Sequence, residues 1–166
     1  MRLSDFSFAA KLRGVMVLVA IALAASAILN LYSLHETMMD DRKITLRYVV
    51  DQSTSIVQDY AERAKSGEMS EADAKAAALK TLESQRFDNN NYVFVTERDG
   101  TMAMHPLVPD LVGKSAASVK DPTGATPIAE LSAIAVQSGE GFVSYVWPHP
   151  NTNNNEPKLA YAKLVQ

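Results

Sequence analysis

Several side chains in the second half of the chain have the chemistry to hold a small organic acid. A carboxylate needs a cation, a few oriented N–H or O–H donors, and an apolar wall that excludes water. Arg86, His105 and Lys158 supply candidate cations. Tyr92, Tyr145, Trp147 and Tyr161 supply donors carried on aromatic rings, and Phe94 and Met104 supply apolar wall. Each also has a plain structural use. Tyr92, Phe94, Tyr145 and Tyr161 suit a packed core. His105 before Pro106 suits a strand-end hydrogen bond, Lys158 a sheet edge, and Trp147 before Pro148 a sheet cap. Period-two alternation also sets Lys158 and Tyr161 on opposite faces of a strand unless a bulge intervenes. The case for a site rests on accumulation, since no single residue carries it.

Catalytic constellations are missing from the same stretch. Asp40-Asp41 adjoins an apolar segment and Glu97 sits near a turn, so no carboxylate pair converges. There is no nucleophile-elbow pattern. The three His residues are scattered, without metal-ligand spacing. Gly139-Glu140-Gly141 is too short a match for a phosphate loop. Cysteine is absent, which removes disulfides, thiol nucleophiles and Cys-based zinc sites. Neither an enzyme nor a cofactor is expected. The net charge of −3 provides no basic field for nucleic acid.

The elements that must position these residues can be read in outline. The stretch Tyr92 to Pro106 alternates as a β-hairpin, with Asp99-Gly100 as its turn. Tyr92, Phe94 and Thr96 point one way on its first arm. On the return arm Thr101, Ala103 and His105 share a face, with Met102 and Met104 on the other. Upstream, residues 14–34 carry no charge and are long enough to cross a ~30 Å hydrocarbon core. Arg2, Lys11 and Arg13 precede this segment, opposed only by Asp5, which places the N-terminus in the cytoplasm and the remainder outside. The alternative is a signal peptide cleaved near Ala25-Ser26-Ala27, but the apolar run is longer than a usual signal core.

From Leu34 to Lys65 there is neither Gly nor Pro, and the spacing predicts one long helix continuous with the apolar segment and ended by Gly67. Ser70 opens a second helix, with Ala72, Ala76, Leu79 and Leu82 on one face. After Pro106 comes a long irregular loop, of the kind that is more often functional than not. Thr126-Pro127 starts a third helix with Ile128, Leu131 and Ala135 as its buried stripe and Gly139 as its end. Residues 142–147 and 158–165 read as strands, joined by an Asn-rich loop. The fold class is α+β: a long N-terminal helix packed on an antiparallel sheet, with the helices gathered to one side.

The run NNYVFVTERDGTMAMHP, followed by LVGK, DPTG, GEGFVSYVWPHP and PKLAYAKL, resembles the single-Cache domain of bacterial methyl-accepting chemotaxis receptors and related transmembrane sensors. The resemblance covers residues 35–166 and implies a PAS-like sheet packed against the long helix, preceded by one transmembrane helix. It divides the chain into a cytoplasmic N-terminus (1–13), a membrane helix (14–34) and a periplasmic sensor domain (35–166) in the bacterial inner membrane. It implies a small organic acid as ligand and Arg86, Tyr92, Phe94, His105, Trp147, Lys158 and Tyr161 as its contacts. Acetate, propionate, pyruvate, lactate or a C4-dicarboxylate suits such a set. A lone long helix would expose its apolar stripe, so two copies are expected to pair as a homodimer through their long helices. One more strand, a second membrane helix, a HAMP linker and a signalling region follow this point in such receptors. The same module on a histidine kinase or cyclase, or an anchored binding protein with no signalling role, would carry the same sensor sequence.

Overall fold

A computed structural model of the chain describes residues 7–149 and 151–165. Arg2 and Asp5, which enter the charge balance ahead of the apolar segment, lie outside the described residues, as do Pro150 and Gln166. The chain divides into two compact units, Met1–Arg42 and Lys43–Gln166. Helix α1 runs unbroken over Phe8–Lys65, because nothing in that span breaks a helix. In the first unit every residue from Val15 to Leu34 is exposed. Among the described residues this is the one helix long and apolar enough to cross a membrane. The polar Asn30 in this stretch donates to Ser26 O at 2.8 Å.

In the second unit α1 ends at Gly67, whose φ of 79° is the left-handed conformation of a C-cap glycine. Helix α2 (Glu71–Glu83) is capped by Ser70, whose Oγ accepts from Asp73 N at 3.1 Å. Its buried stripe is Ala74, Ala78 and Leu82; Ala72 and Ala76, expected inside, are exposed. A run this rich in alanine offers several equivalent apolar stripes, and tertiary packing selects among them.

The hairpin is shorter than its alternation predicts. Only β1 (Val95–Thr96) and β2 (Met102–Met104) form a ladder, with a register shift between Val95 and Thr96. The turn is a residue wider than a two-residue Asp-Gly turn. Gly100 N donates to Glu97 O at 2.9 Å, and Gly100 takes the left-handed φ of 82°. The long loop that follows runs back along β2. Met102 N donates to Lys114 O, Gly113 N to Met102 O and Ala116 N to Gly100 O. The loop thereby covers an otherwise open sheet edge.

Helix α3 (Pro127–Ser138) buries Ile128, Leu131 and Ala135 as predicted, and Gly139 closes it. Thr126 occupies the N-cap position, but its side chain makes no capping bond. Strands β3 (Glu140–Pro148) and β4 (Asn155–Lys163) pair antiparallel. Both extend further toward their turn than predicted, so Asn155 belongs to a strand and only 149–154 forms the tip. β4 ends at Lys163, and Leu164 N donates to Gly139 O at 2.8 Å.

The helices are not gathered on one side of this sheet. Phe142 and Tyr161 meet Arg47 of α1, whereas a Cβ at the adjacent Gly141 would meet Ile134 of α3. Successive strand residues point to opposite faces, so α1 and α3 flank the sheet from both sides. Met102, Ala116, Val119 and Ile128 form a buried core, with Phe94 and Trp147 packed against it.

Candidate functional site

The β3–β4 register sorts the candidate residues by face. Tyr145 stands opposite Lys158, Trp147 opposite Glu156, and Phe142 opposite Tyr161, with no bulge. Directly opposed residues share a face. Lys158, Tyr145 and Trp147 therefore lie on the face that α3 partly covers, and Tyr161 lies on the face toward α1. Its ring packs on Phe142 with centroids 4.7 Å apart, and the Arg47 guanidinium lies 5.8 Å from its centre. Burial, and after it Glu140, raises the Tyr161 phenol to about 12. Tyr161 is thus a contact between sheet and helix, separated from the other candidates by the thickness of the sheet.

On the opposite face three rings with polar edges come together. Tyr145 and Trp147 meet edge to face at 6.1 Å. Tyr92 approaches from the hairpin: burial pushes its phenol up, while the Trp147 indole and the Arg86 guanidinium act the other way. The Tyr145 phenol is also raised, by burial and then by Tyr92. Two phenols and an indole N–H converge there, with Phe94 behind them in the core.

The three candidate cations have different fates. Lys158 is half-buried and donates to Asn91 Oδ1 at 3.1 Å. Among the described residues it makes no ion pair. Burial lowers its pKa, and the charge of Glu156 partly offsets this. An ammonium held by a neutral acceptor keeps donors and charge for an anion. Arg86 is engaged by backbone: its Nη1 donates to Glu83 O at 2.8 Å and Gln85 O at 2.7 Å, at the C-terminal end of α2. Its charge still reaches Tyr92.

His105 is not a cation at all. It is only 3% exposed, edge to face with Tyr92 at 5.0 Å and stacked with Phe94 at 6.1 Å. Its Nδ1 accepts from Leu107 N at 3.3 Å and Val108 N at 3.0 Å, which fixes the neutral tautomer protonated on Nε2. Burial holds its pKa down to about 4. His105 also lines a shallow depression of about 270 Å³ between α2 and the loop after β2, with Leu79, Ala103 and Val112. Tyr145, Trp147 and Lys158 do not line it, so it is distinct from the place where donors and cation converge.

His105 makes stability pH-dependent in a defined window. Its folded pKa of about 4 lies below the ordinary value of 6.5. The unfolded chain therefore takes up a proton first, and stability falls as pH drops from about 6.5 to about 4. The shift corresponds to about 3 kcal/mol at full extent. Chemical denaturation between pH 7 and 4.5 is expected to show this decline in the native sequence. In His105→Asn, whose Oδ1 stands in for Nδ1 and does not titrate, the decline is expected to be much smaller and confined to the acid end of that window, where carboxyls held below their usual range, Glu68 and Asp121 among them, begin to protonate in the unfolded chain. An equal decline in both proteins would remove His105 as its cause.

Two contributors carry weaker sequence signals. Asn91 holds Lys158 from within a polar turn. Asp121, in the DPTG stretch, is buried: Oδ1 accepts from Thr123 N, Thr123 Oγ1 and Ala125 N, and Oδ2 accepts from Val146 N at 3.3 Å. The Thr123 hydroxyl, more than any other contact, holds its carboxyl below the usual range. Asp121 thereby ties the long loop to β3 between Tyr145 and Trp147. A D-P-T-G turn with Asp in first position is the signal that would have singled it out.

The Cache domain model dCache_2 matches residues 24–166, where the resemblance in the sequence is to the single-Cache type. The methyl-accepting chemotaxis protein McpP of Pseudomonas putida KT2440 is 26% identical over 164 residues, 99% of this chain. The chain spans only 30% of the length of that relative. Among solved structures, a periplasmic sensor domain of a chemotaxis protein is 32% identical with a TM-score of 0.72, covering 78% of this chain and 90% of that one. A Cache chemosensory domain, described in terms of the structural basis of carboxylic acid recognition, is 30% identical with a TM-score of 0.73, covering 80% of this chain and 90% of that one.

Proposed function

The chain belongs to the Cache domain family, a family of non-enzymatic sensor domains, and on that premise we propose that it is the extracytoplasmic sensor of a transmembrane chemoreceptor that binds a small monocarboxylate. The observation that carries the ligand class is the half-buried Lys158 ammonium, bonded to a neutral amide, on the same face as Tyr145 and Trp147. Arg86 is engaged with the carbonyls of Glu83 and Gln85 and His105 is neutral, which leaves one convergent cation and favours one carboxylate over two. Acetate, propionate, pyruvate and lactate fit better than a C4-dicarboxylate.

Residues 1–13 lie in the cytoplasm in this reading, 14–34 cross the inner membrane, and 35–166 are periplasmic. Lys11 and Arg13 stand before the exposed apolar stretch of α1, which supports this orientation. Met38, Ile44 and Tyr48 of α1 are each at least 49% exposed, which supports pairing with the α1 of a second copy. Ligand closes the site over β3 and β4, and the far face of the same sheet, through Tyr161 and Phe142 on Arg47, transmits the change to α1. The signal is set by the difference in ligand affinity between the two states.

The test is a thermal-shift series of the chain against monocarboxylates and succinate. Ligand at a hundredfold excess over Kd stabilises the folded state by about 2.7 kcal/mol, a rise of about 5–10 °C for a protein of this size. A shift for monocarboxylates with little for succinate supports the reading. A shift for succinate alone would replace it with a dicarboxylate sensor, and no shift for any acid would end the carboxylate assignment.

A further inference from the structure

Lys158 reaches its place through a turn held in an unfavourable backbone conformation. Asp88, Asn89 and Asn90 are consecutive non-glycine residues with φ of 35°, 59° and 73°. Side chains other than Asn and Asp resist this region strongly. A backbone bridge from Phe87 to Asn91 closes the turn, and Asn91 Nδ2 donates to Asp88 O at 2.8 Å. That bond fixes the amide of Asn91 so that its oxygen, and not its nitrogen, faces Lys158.

A second set of amides ties this turn to the tip of the β3–β4 hairpin. Asn90 Nδ2 donates to Asn151 Oδ1 at 3.0 Å, and Asn151 Nδ2 donates to Asn89 Oδ1 at 3.3 Å and Asn89 O at 3.4 Å. The turn carries Asn91 and Tyr92, and the hairpin carries Trp147 and Lys158. The asparagine clasp therefore joins the two halves of the site at their outer edge.

The use of a neutral amide at Asn91 has a chemical consequence. An aspartate in its place would have nearly the same shape and would pair with the ammonium. A ligand carboxylate would then have to displace an internal one. Glu156, on the same face, influences the charge of Lys158 but forms no ion pair with it. We propose that Asn91, held by the Asn89–Asn90–Asn151 clasp, is a positioning and specificity-determining residue that orients the Lys158 ammonium while leaving its charge free for a ligand carboxylate. This rests on the carboxylate reading of the site.

Isothermal titration of the full 166-residue chain in detergent micelles with acetate, propionate, pyruvate, lactate and succinate tests it, comparing Asn91→Asp, Asn91→Ala and Asn151→Ala with the native sequence. Asn91→Asp is expected to weaken the acid that the native chain binds by on the order of 10–100-fold, with a smaller fall in Tm than in Asn91→Ala, because the new ion pair offsets the lost bond from Asn91 Nδ2 to Asp88 O. Asn91→Ala and Asn151→Ala are expected to weaken it less, by roughly 3–10-fold, with Tm lowered. A purely structural role predicts the reverse order, with loss of affinity following loss of stability. Asn91→Asp binding as well as Asn91→Ala therefore overturns the proposal.

A measurement without ligand keeps the two ideas separate. The Lys158 pKa, followed by NMR titration of its ¹³Cε, is expected to rise in Asn91→Asp relative to the native chain. If the native chain binds none of the five acids, the carboxylate reading fails. An unmoved Lys158 pKa in Asn91→Asp shows that the two groups are not in contact, and the positioning role fails whatever the ligand.

Discussion

Replacing Lys158 with methionine is expected to abolish acid binding while leaving the domain folded. Met keeps the length of the stem and its packing, so the variant removes the charge and little else. Lys158 is half-buried, and burial already disfavours its charged form, so an apolar replacement should match or exceed the native Tm. Truncating one side of a buried charged hydrogen bond costs about 2–5 kcal/mol of binding, a loss in Kd of about 30-fold to several thousand-fold. The decisive comparison is with two neighbours. Arg86→Met is expected to weaken binding only mildly, because that guanidinium is held by Glu83 O and Gln85 O. Tyr161→Phe is expected to leave Kd unchanged, because its ring faces Arg47 on the far side of the sheet. Calorimetric Kd values for the three variants against the best acid of the panel settle the matter. If Arg86→Met loses binding and Lys158→Met retains it, the carboxylate sits at the end of α2 and the assignment of the cation is wrong.

The contrast between Lys158 and Tyr161 also shows which parts of this protein are legible from sequence. Local signals are reliable here. The unbroken run to Lys65 with Gly67 after it, the Ser70 cap, and the Ile128, Leu131, Ala135 stripe closed by Gly139 all appear as read, because each depends on residues within one or two turns of the helix. Alternation places Lys158 and Tyr161 on opposite faces, and the bulge-free register keeps them there. Which face meets the hairpin is a different matter. It follows from where α1 and α3 dock, a long-range outcome that no spacing within 158–165 encodes. Tyr145 joins the site for the same reason: its position opposite Lys158 depends on the number of residues in the 149–154 tip.

Backbone accounting is the second illegible layer. Arg86 and His105 read as cations because their residue types permit it. The structure engages one with the carbonyls of Glu83 and Gln85 and the other with two loop N–H groups. Buried or terminal backbone groups must find partners, and the sequence does not say which side chain will serve. Asn91 and Asp121 are the reverse case. Asn91 sits in a polar turn and Asp121 in the long irregular loop, and neither stands among the candidate ligand contacts, yet each accepts a hydrogen bond from a strand that carries the site.

Gly141→Ala is expected to be among the most destabilising single substitutions in the domain, although its backbone would accept alanine. Its φ is not in the left-handed region, and elsewhere in a strand the change would be neutral or favourable by way of the unfolded chain. The cost is purely steric. The added methyl would lie 2.0 Å from Ile134 Cγ2 and 3.4 Å from Ile134 Cβ. Ile134 cannot swing aside, since a β-branched side chain in a helix has one strongly preferred χ1. Either α3 moves off β3 or the strand bends, and overpacking of this kind costs about 1–3 kcal/mol or more. A fall in Tm of about 3–10 °C follows. Ile134→Ala alone should cost less than a fully buried isoleucine would, because Ile134 is only half-buried. In the double variant the new methyl fills the space the isoleucine leaves, so the two effects should fail to add by about 1 kcal/mol or more. Additive losses would mean that Gly141 is required for some reason other than close approach. The same helix carries Ile128 and Ala129, which pack in the core that Trp147 joins. A displaced α3 should therefore also weaken acid binding in Gly141→Ala, and Ile134→Ala should restore binding and stability together. Recovery of stability without binding would show that the spacing between α3 and β3 does not reach the site.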